Sequence, residues 1–108
     1  MRERGFRKSD ARYFAATGRP QFVEFFAFWC TTCQAMRPVV HGLEDKYAAK
    51  IDFVYLDIDD PTSEAAKRRL GYRVQPDYYL VDANGNLVQR WIGFVEAKAI
   101  EQALSQVQ

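Results

Sequence analysis

The sequence predicts an α/β domain: a central mixed β-sheet of about four strands, flanked by helices on both faces. Three observations carry this. Gln21 to Phe28 is an aromatic, β-branched run, apolar on both faces, as in a central strand covered on both sides. Runs of strand character alternate with runs of helical period, which builds a parallel, right-handed βαβ crossover. Asp82-Ala83-Asn84-Gly85-Asn86 separates two short strand-like runs, as a hairpin turn does. At 108 residues the chain holds one domain, residues 1–108. With 48% hydrophobic and 27% charged residues it is too apolar and too evenly charged to be disordered.

In chain order, Met1 to Lys8 reads as a flexible basic tail carrying Arg2, Arg4, Arg7 and Lys8. Ser9 can cap a short helix through Ala16, which Gly18-Arg19-Pro20 ends. The first strand, Gln21 to Phe28, follows. Beyond Cys30 a helix is expected, because Cys33, Met36, Val40, Leu43 and Tyr47 recur at intervals of three and four. Pro38 falls inside it and should kink it. Ile51 to Ile58 is the second strand. Asp60 caps a third helix, with Pro61 at its first position, Glu64 in its first turn and Gly71 as its stop. Gln75-Pro76 breaks the chain before the strand Asp77 to Val81. Leu87 to Ile92 returns antiparallel, and Gly93 bends the chain into a last helix, about Val95 to Val107.

Composition excludes several classes of function. A net charge of +1 gives no basic field for nucleic acid. The longest apolar run, Phe25 to Cys30, is far short of the roughly 20 residues that span a bilayer. No targeting segment is visible, so the expected location is cytoplasmic. A basic start also fits an excised domain, and a membrane-anchored or periplasmic location is the alternative. Two cysteines are too few for a disulfide scaffold or a Cys₄ zinc site.

Those two, Cys30 and Cys33, lie where a strand gives way to a helix. Residues three apart share a helix face, so the sulfurs can meet across one turn. At the helix N-terminus, free N–H groups and the macrodipole favour a thiolate on Cys30. Cys33, one turn in, should be more buried. The asymmetry makes Cys30 the nucleophile toward a substrate disulfide and Cys33 the resolving thiol. Two inert thiols, a structural disulfide and a zinc site compete with this reading. A four-residue loop gains little from closure, and the lone His41 lies roughly 16 Å of helix beyond Cys30. No metal and no bound cofactor are expected.

The chain resembles the thioredoxin family from about Gln21 to its end. Trp29-Cys30-Thr31-Thr32-Cys33 looks like the family's Trp-Cys-x-x-Cys site, and Pro38 matches its helix proline. Val23-Glu24-Phe25-Phe26-Ala27 resembles the strand that delivers the motif. Val74-Gln75-Pro76 matches the loop with a cis-proline, and Trp91-Ile92-Gly93 the glycine loop that closes the substrate face. The resemblance implies the thioredoxin fold and a protein-disulfide oxidoreductase. It would act as a monomer on disulfide-bearing proteins and draw electrons from an external donor, a reductase. An oxidase or isomerase, and a non-catalytic peptide-binding module, are the rivals.

The resemblance also implies roles for single residues. The bond before Pro76 should be cis, placing the Gln75 backbone beside the reactive cysteine to pair with a substrate strand. Gln75 and Asp77 should form a polar, acidic rim. Glu24 aligns with the family's buried aspartate and would exchange a proton with Cys33; the bland alternative is a carboxylate bonded at a strand end. The family's nearby lysine maps to Tyr55, so its charge partner is missing. Trp29 is a lid over the disulfide and a substrate contact, or a packing aromatic. Thr31 and Thr32 stand where Gly-Pro is common, and neither brings a charge to the thiolate. His41 reads as a surface residue, and Asp57, Asp59 and Asp60 as strand-end solvation and helix capping.

Overall fold

A computed structural model describes residues 5–9 and 17–107. A four-stranded sheet holds β1 (Gln21–Phe26), β2 (Asp52–Asp57), β3 (Asp77–Val81) and β4 (Leu87–Ile92) in the order β2-β1-β3-β4. β1 runs parallel to β2 and antiparallel to β3, and β3 and β4 form the hairpin. Helices α1 (Thr31–Tyr47), α2 (Glu64–Leu70) and α3 (Ala97–Val107) cover it. This is the mixed sheet the sequence predicts.

Alternation along the strands divides the core in two. Phe22 and Phe26 of β1, Phe53 and Tyr55 of β2, and Tyr78 and Leu80 of β3 face α1 and α3. They meet the expected stripe of Cys33, Met36, Val40, Leu43 and Tyr47, together with Ile100, Ala103 and Leu104. Val23, Phe25, Leu56, Tyr79 and Val81 face the other way, onto Ala66 of α2. Every residue of β1 is buried, as its two-sided apolar sequence requires.

The boundaries differ from expectation where local turns intervene. β1 stops at Phe26 because the chain reverses at once, with the Cys30 N–H bonded to the Ala27 carbonyl at 3.1 Å. After β2, Asp60 accepts the Thr62 N–H at 3.0 Å and Pro61–Ser63 forms a short 3₁₀ turn before α2. Gly71 ends α2 in the left-handed conformation, φ 74°. α1 continues through Pro38. In the hairpin turn, Asp82 Oδ1 accepts the N–H groups of Asn84 and Asn86.

The largest correction concerns the amino-terminal segment. The helix expected from Ser9 through Ala16 lies outside the described residues beyond Ser9, and Met1 to Arg4 lie outside them too. Phe6 to Ser9, however, are packed rather than free. Phe6 is buried and stacks on Phe26 at 4.8 Å between centroids. Arg7 pairs with Glu44 of α1, and Lys8 with Asp60 at 2.9 Å. The Ser9 N–H donates to the Tyr55 carbonyl and Ser9 Oγ accepts the Tyr55 N–H, so this segment borders β2. Composition marked a basic tail; a single aromatic side chain docks it.

Candidate active site

Cys30 caps α1. Its backbone is extended, and its Sγ accepts the Cys33 N–H at 3.1 Å. A sulfur aimed at the open N–H groups of a helix start is placed where negative charge is favoured. Both thiols are free and both are buried. Cys33 is wholly covered, and burial pushes its thiol far up, with the adjacent Cys30 sulfur adding to the effect. The pair is therefore asymmetric: one sulfur at the helix mouth, the other sealed beneath it.

The peptide bond between Gln75 and Pro76 is cis. The loop carries the Gln75 carbonyl to 3.9 Å from Cys30 Sγ, which donates to it. Tyr72 Oη donates to Gln75 Oε1 at 2.6 Å and turns that side chain back onto the loop. The Gly93 N–H bonds the Pro76 carbonyl at 2.9 Å and joins the two loops that border the cysteines. Gly93 has φ 76°, and an added Cβ would meet nothing within 4 Å; backbone conformation, not crowding, explains glycine here. Thr31 is exposed and Thr32 half-buried on the first turn of α1.

The expected acidic rim is half wrong. Asp77 is fully buried and faces away from the cysteines. Its carboxylate takes the Arg73 guanidinium at 2.6 Å, the Arg73 N–H at 3.0 Å and the Tyr79 hydroxyl. The charge is spent inside the fold, closing the loop that holds Gln75 and Pro76. The residues flanking the site loops in sequence bring exposed apolar side chains instead: Trp29 before Cys30, Val74 before Gln75 and Phe94 after Gly93.

Trp29 is 57% exposed and lies outside both core clusters. Its Nε1 donates to Asp59 Oδ2 at 2.7 Å. Asp59 is thus a site residue that sequence reasoning missed, since a contact 30 positions away leaves no local signal. Asp57 and Asp60 serve strand end and cap as expected, and the Lys8 ammonium, with the N–H and hydroxyl of Thr62, holds the Asp60 carboxyl down, to about 2. His41 is half-buried, edge-on to Tyr55, and not a free surface residue.

Glu24 is buried on the face of β1 that lies under α1. Its Oε2 has no hydrogen-bond partner among the described residues. Burial raises its pKa to about 8. Its charge acts on Cys33 above and on Tyr55 and Tyr78 beside it. Tyr78 is a second residue that sequence reasoning missed, because its place follows only from strand register. Among the described residues no group of His, Cys, Asp and Glu is arranged to hold a metal ion.

The family model described as Thioredoxin matches residues 9–106. The chain is 34% identical over 90 residues to a "Thiol:disulfide interchange protein TxlA homolog" of Synechocystis sp., covering 82% of this chain and 49% of that protein. It is 34% identical over 71 residues to "Thioredoxin-like protein HCF164, chloroplastic" of Arabidopsis thaliana, covering 66% of this chain and 27% of that one. It thus spans half or less of the length of these relatives. To a Staphylococcus aureus "Thioredoxin" it is 33% identical over 85 residues, 78% of each chain. A solved thioredoxin of Fasciola hepatica has the same fold, with TM-score 0.71 at 24% identity over 86% of this chain and 85% of that one.

Proposed function

This chain belongs to the thioredoxin family, and from that premise we propose that it is a thiol–disulfide oxidoreductase that reduces protein disulfides. One observation carries the reading: Cys30 Sγ sits at the mouth of α1, bonded by the Cys33 N–H and flanked by the Gln75 carbonyl of the cis-proline loop. The Cys30 thiolate attacks one sulfur of the substrate disulfide. A Cys30–substrate disulfide forms and the other substrate sulfur leaves, taking a proton. Cys33 then loses its proton to the Glu24 carboxylate and attacks Cys30 Sγ. The Cys30–Cys33 bond forms, the second substrate thiol is released, and two electrons have passed to the substrate. A dithiol donor must return them, since the chain has no third cysteine.

The backbone of Gln75 receives an extended substrate segment, and Trp29 and Gly93 border it with the first turn of α1, Thr31 and Thr32. The partners are disulfide-bearing proteins and an external reductase, and the acting form is a monomer in the cytoplasm. Among the described residues no helix is long and apolar enough to cross a membrane. The test is capture: Cys33→Ser strands substrates on Cys30. Dithiothreitol-releasable cytosolic proteins support the reading. Capture of envelope proteins alone would move the domain to an anchored, extracytoplasmic place. Equal capture by Cys30→Ser would overturn the enzyme reading.

A further inference from the structure

One row of side chains crosses the sheet beneath α1. Glu24 pairs with Tyr55 of β2 on one side and with Tyr78 of β3 on the other, and Tyr78 pairs with Trp91 of β4. Directly opposed residues on paired strands stand with Cβ atoms about 5 Å apart. Glu24 therefore has a tyrosine on each flank. The two tyrosines are not alike. Tyr55 Oη donates to Glu44 Oε1 at 2.8 Å, and that carboxylate also holds Arg7. Tyr78 Oη is buried with no hydrogen-bond partner among the described residues, and Glu24 Oε2 shares that condition.

Two unmatched buried polar atoms on neighbouring strands of one face call for an explanation. They are complementary, since a phenol can donate and a carboxylate accepts. A phenylalanine would fill the position at least as well, for the Tyr78 ring stacks on Phe22 in the core. The hydroxyl is thus the feature to be accounted for. We propose that Tyr78 is a positioning residue for the proton acceptor: its hydroxyl, directly or through one buried water, donates a hydrogen bond to the Glu24 carboxylate while Cys33 gives up its proton.

The surroundings leave that role to Tyr78. Cys33 faces Glu24 from α1 and is the proton's source. Tyr55 faces it from β2, with Glu44 and Arg7 behind. α3 contributes Ile100, Ala103 and Leu104 to the same core, all apolar. Tyr78 keeps its own proton, because burial and the charges of Glu24, Cys33 and Cys30 all push its ionisation up. A hydrogen bond to the ionised form favours that form. Removing the hydroxyl leaves the carboxylate harder to form, so resolution by Cys33 should need a higher pH.

The inference rests on Glu24 being the acceptor, and the test separates the two. Single-turnover stopped flow with a fluorescent peptide disulfide gives attack by Cys30 and resolution by Cys33 as successive phases, followed from pH 5.5 to 9. Four proteins are compared: the unaltered chain, Tyr78→Phe, Glu24→Gln and the double variant. Tyr78→Phe should slow resolution three- to ten-fold at pH 7, move its pH midpoint upward and leave the attack phase unchanged. In the Glu24→Gln background the same change should have no further effect. If Glu24→Gln alone leaves resolution intact, the acceptor reading fails and this one with it. If Glu24→Gln slows resolution but Tyr78→Phe does nothing, or slows it equally in both backgrounds, the Tyr78 role alone is overturned.

Discussion

Glu24 is a carboxyl under α1 with no salt-bridge partner among the described residues, and its ionisation is coupled to folding. Its pKa is raised from 4.5 to about 8 by burial. Between those values the unfolded chain has released a proton that the folded chain retains. Stability contributed by the neutral form is therefore full below about pH 4.5 and is lost as pH rises toward 8, by at most about 1.4 kcal/mol per unit. Urea unfolding of the reduced protein from pH 5 to 8 should show this decline. Glu24→Gln should flatten it and be the more stable variant at pH 8; parallel pH curves would refute the assignment. At this scale the sequence was readable wherever a short motif carries the chemistry. Cys30, Cys33 and Pro76 are visible because spacing and order mark them. Asp59 and Tyr78 are not, because one acts across 30 positions and the other through register.

At the scale of elements, the loop from Arg73 to Asp77 shows a buried charge used as a fastener. Asp77 binds the backbone and side chain of Arg73 four residues earlier, and Tyr79 two residues later. Arg90 of β4 bonds Tyr79 Oη at 2.9 Å and stacks on its ring at 4.7 Å. Asp77→Asn keeps the shape but removes the charge, leaving the Arg73 guanidinium weakly matched. It should cost about 2 kcal/mol of stability. It should also raise KM for a protein disulfide while leaving reduction of a small aromatic disulfide within two-fold, since only the former needs an ordered Gln75 backbone. Equal losses on both substrates would show that the charge does not set the loop. Sequence alone placed the break at Gln75-Pro76 and the strand after it. It could not say which way Asp77 points, because strand alternation fixes only which residues share a face.

At the scale of the molecule, helix stripes and the two-sided β1 were enough to give a mixed sheet with helices on both faces, since burial patterns are local in sequence; the strand order, with β1 between β2 and β3, rests on long-range pairing. The amino-terminal segment escaped because its polar composition hides one decisive contact. Phe6 is 1% exposed, against Phe26 and edge-on to Phe28. Phe6→Ala should cost about 3 kcal/mol, read as a fall in the urea midpoint. A change under about 0.5 kcal/mol would mean the segment is not docked in solution.

That contact also seats the segment at Phe6 against the turn that leads into α1. Phe28 lies two residues before Cys30, and its carbonyl accepts Gln34 Nε2 at 2.8 Å on the first turn of α1. An affinity handle, fluorophore or surface tether fused directly to Gly5 would begin one residue from that packed ring, and its effect on the Phe6 contact belongs among the controls of any substrate assay.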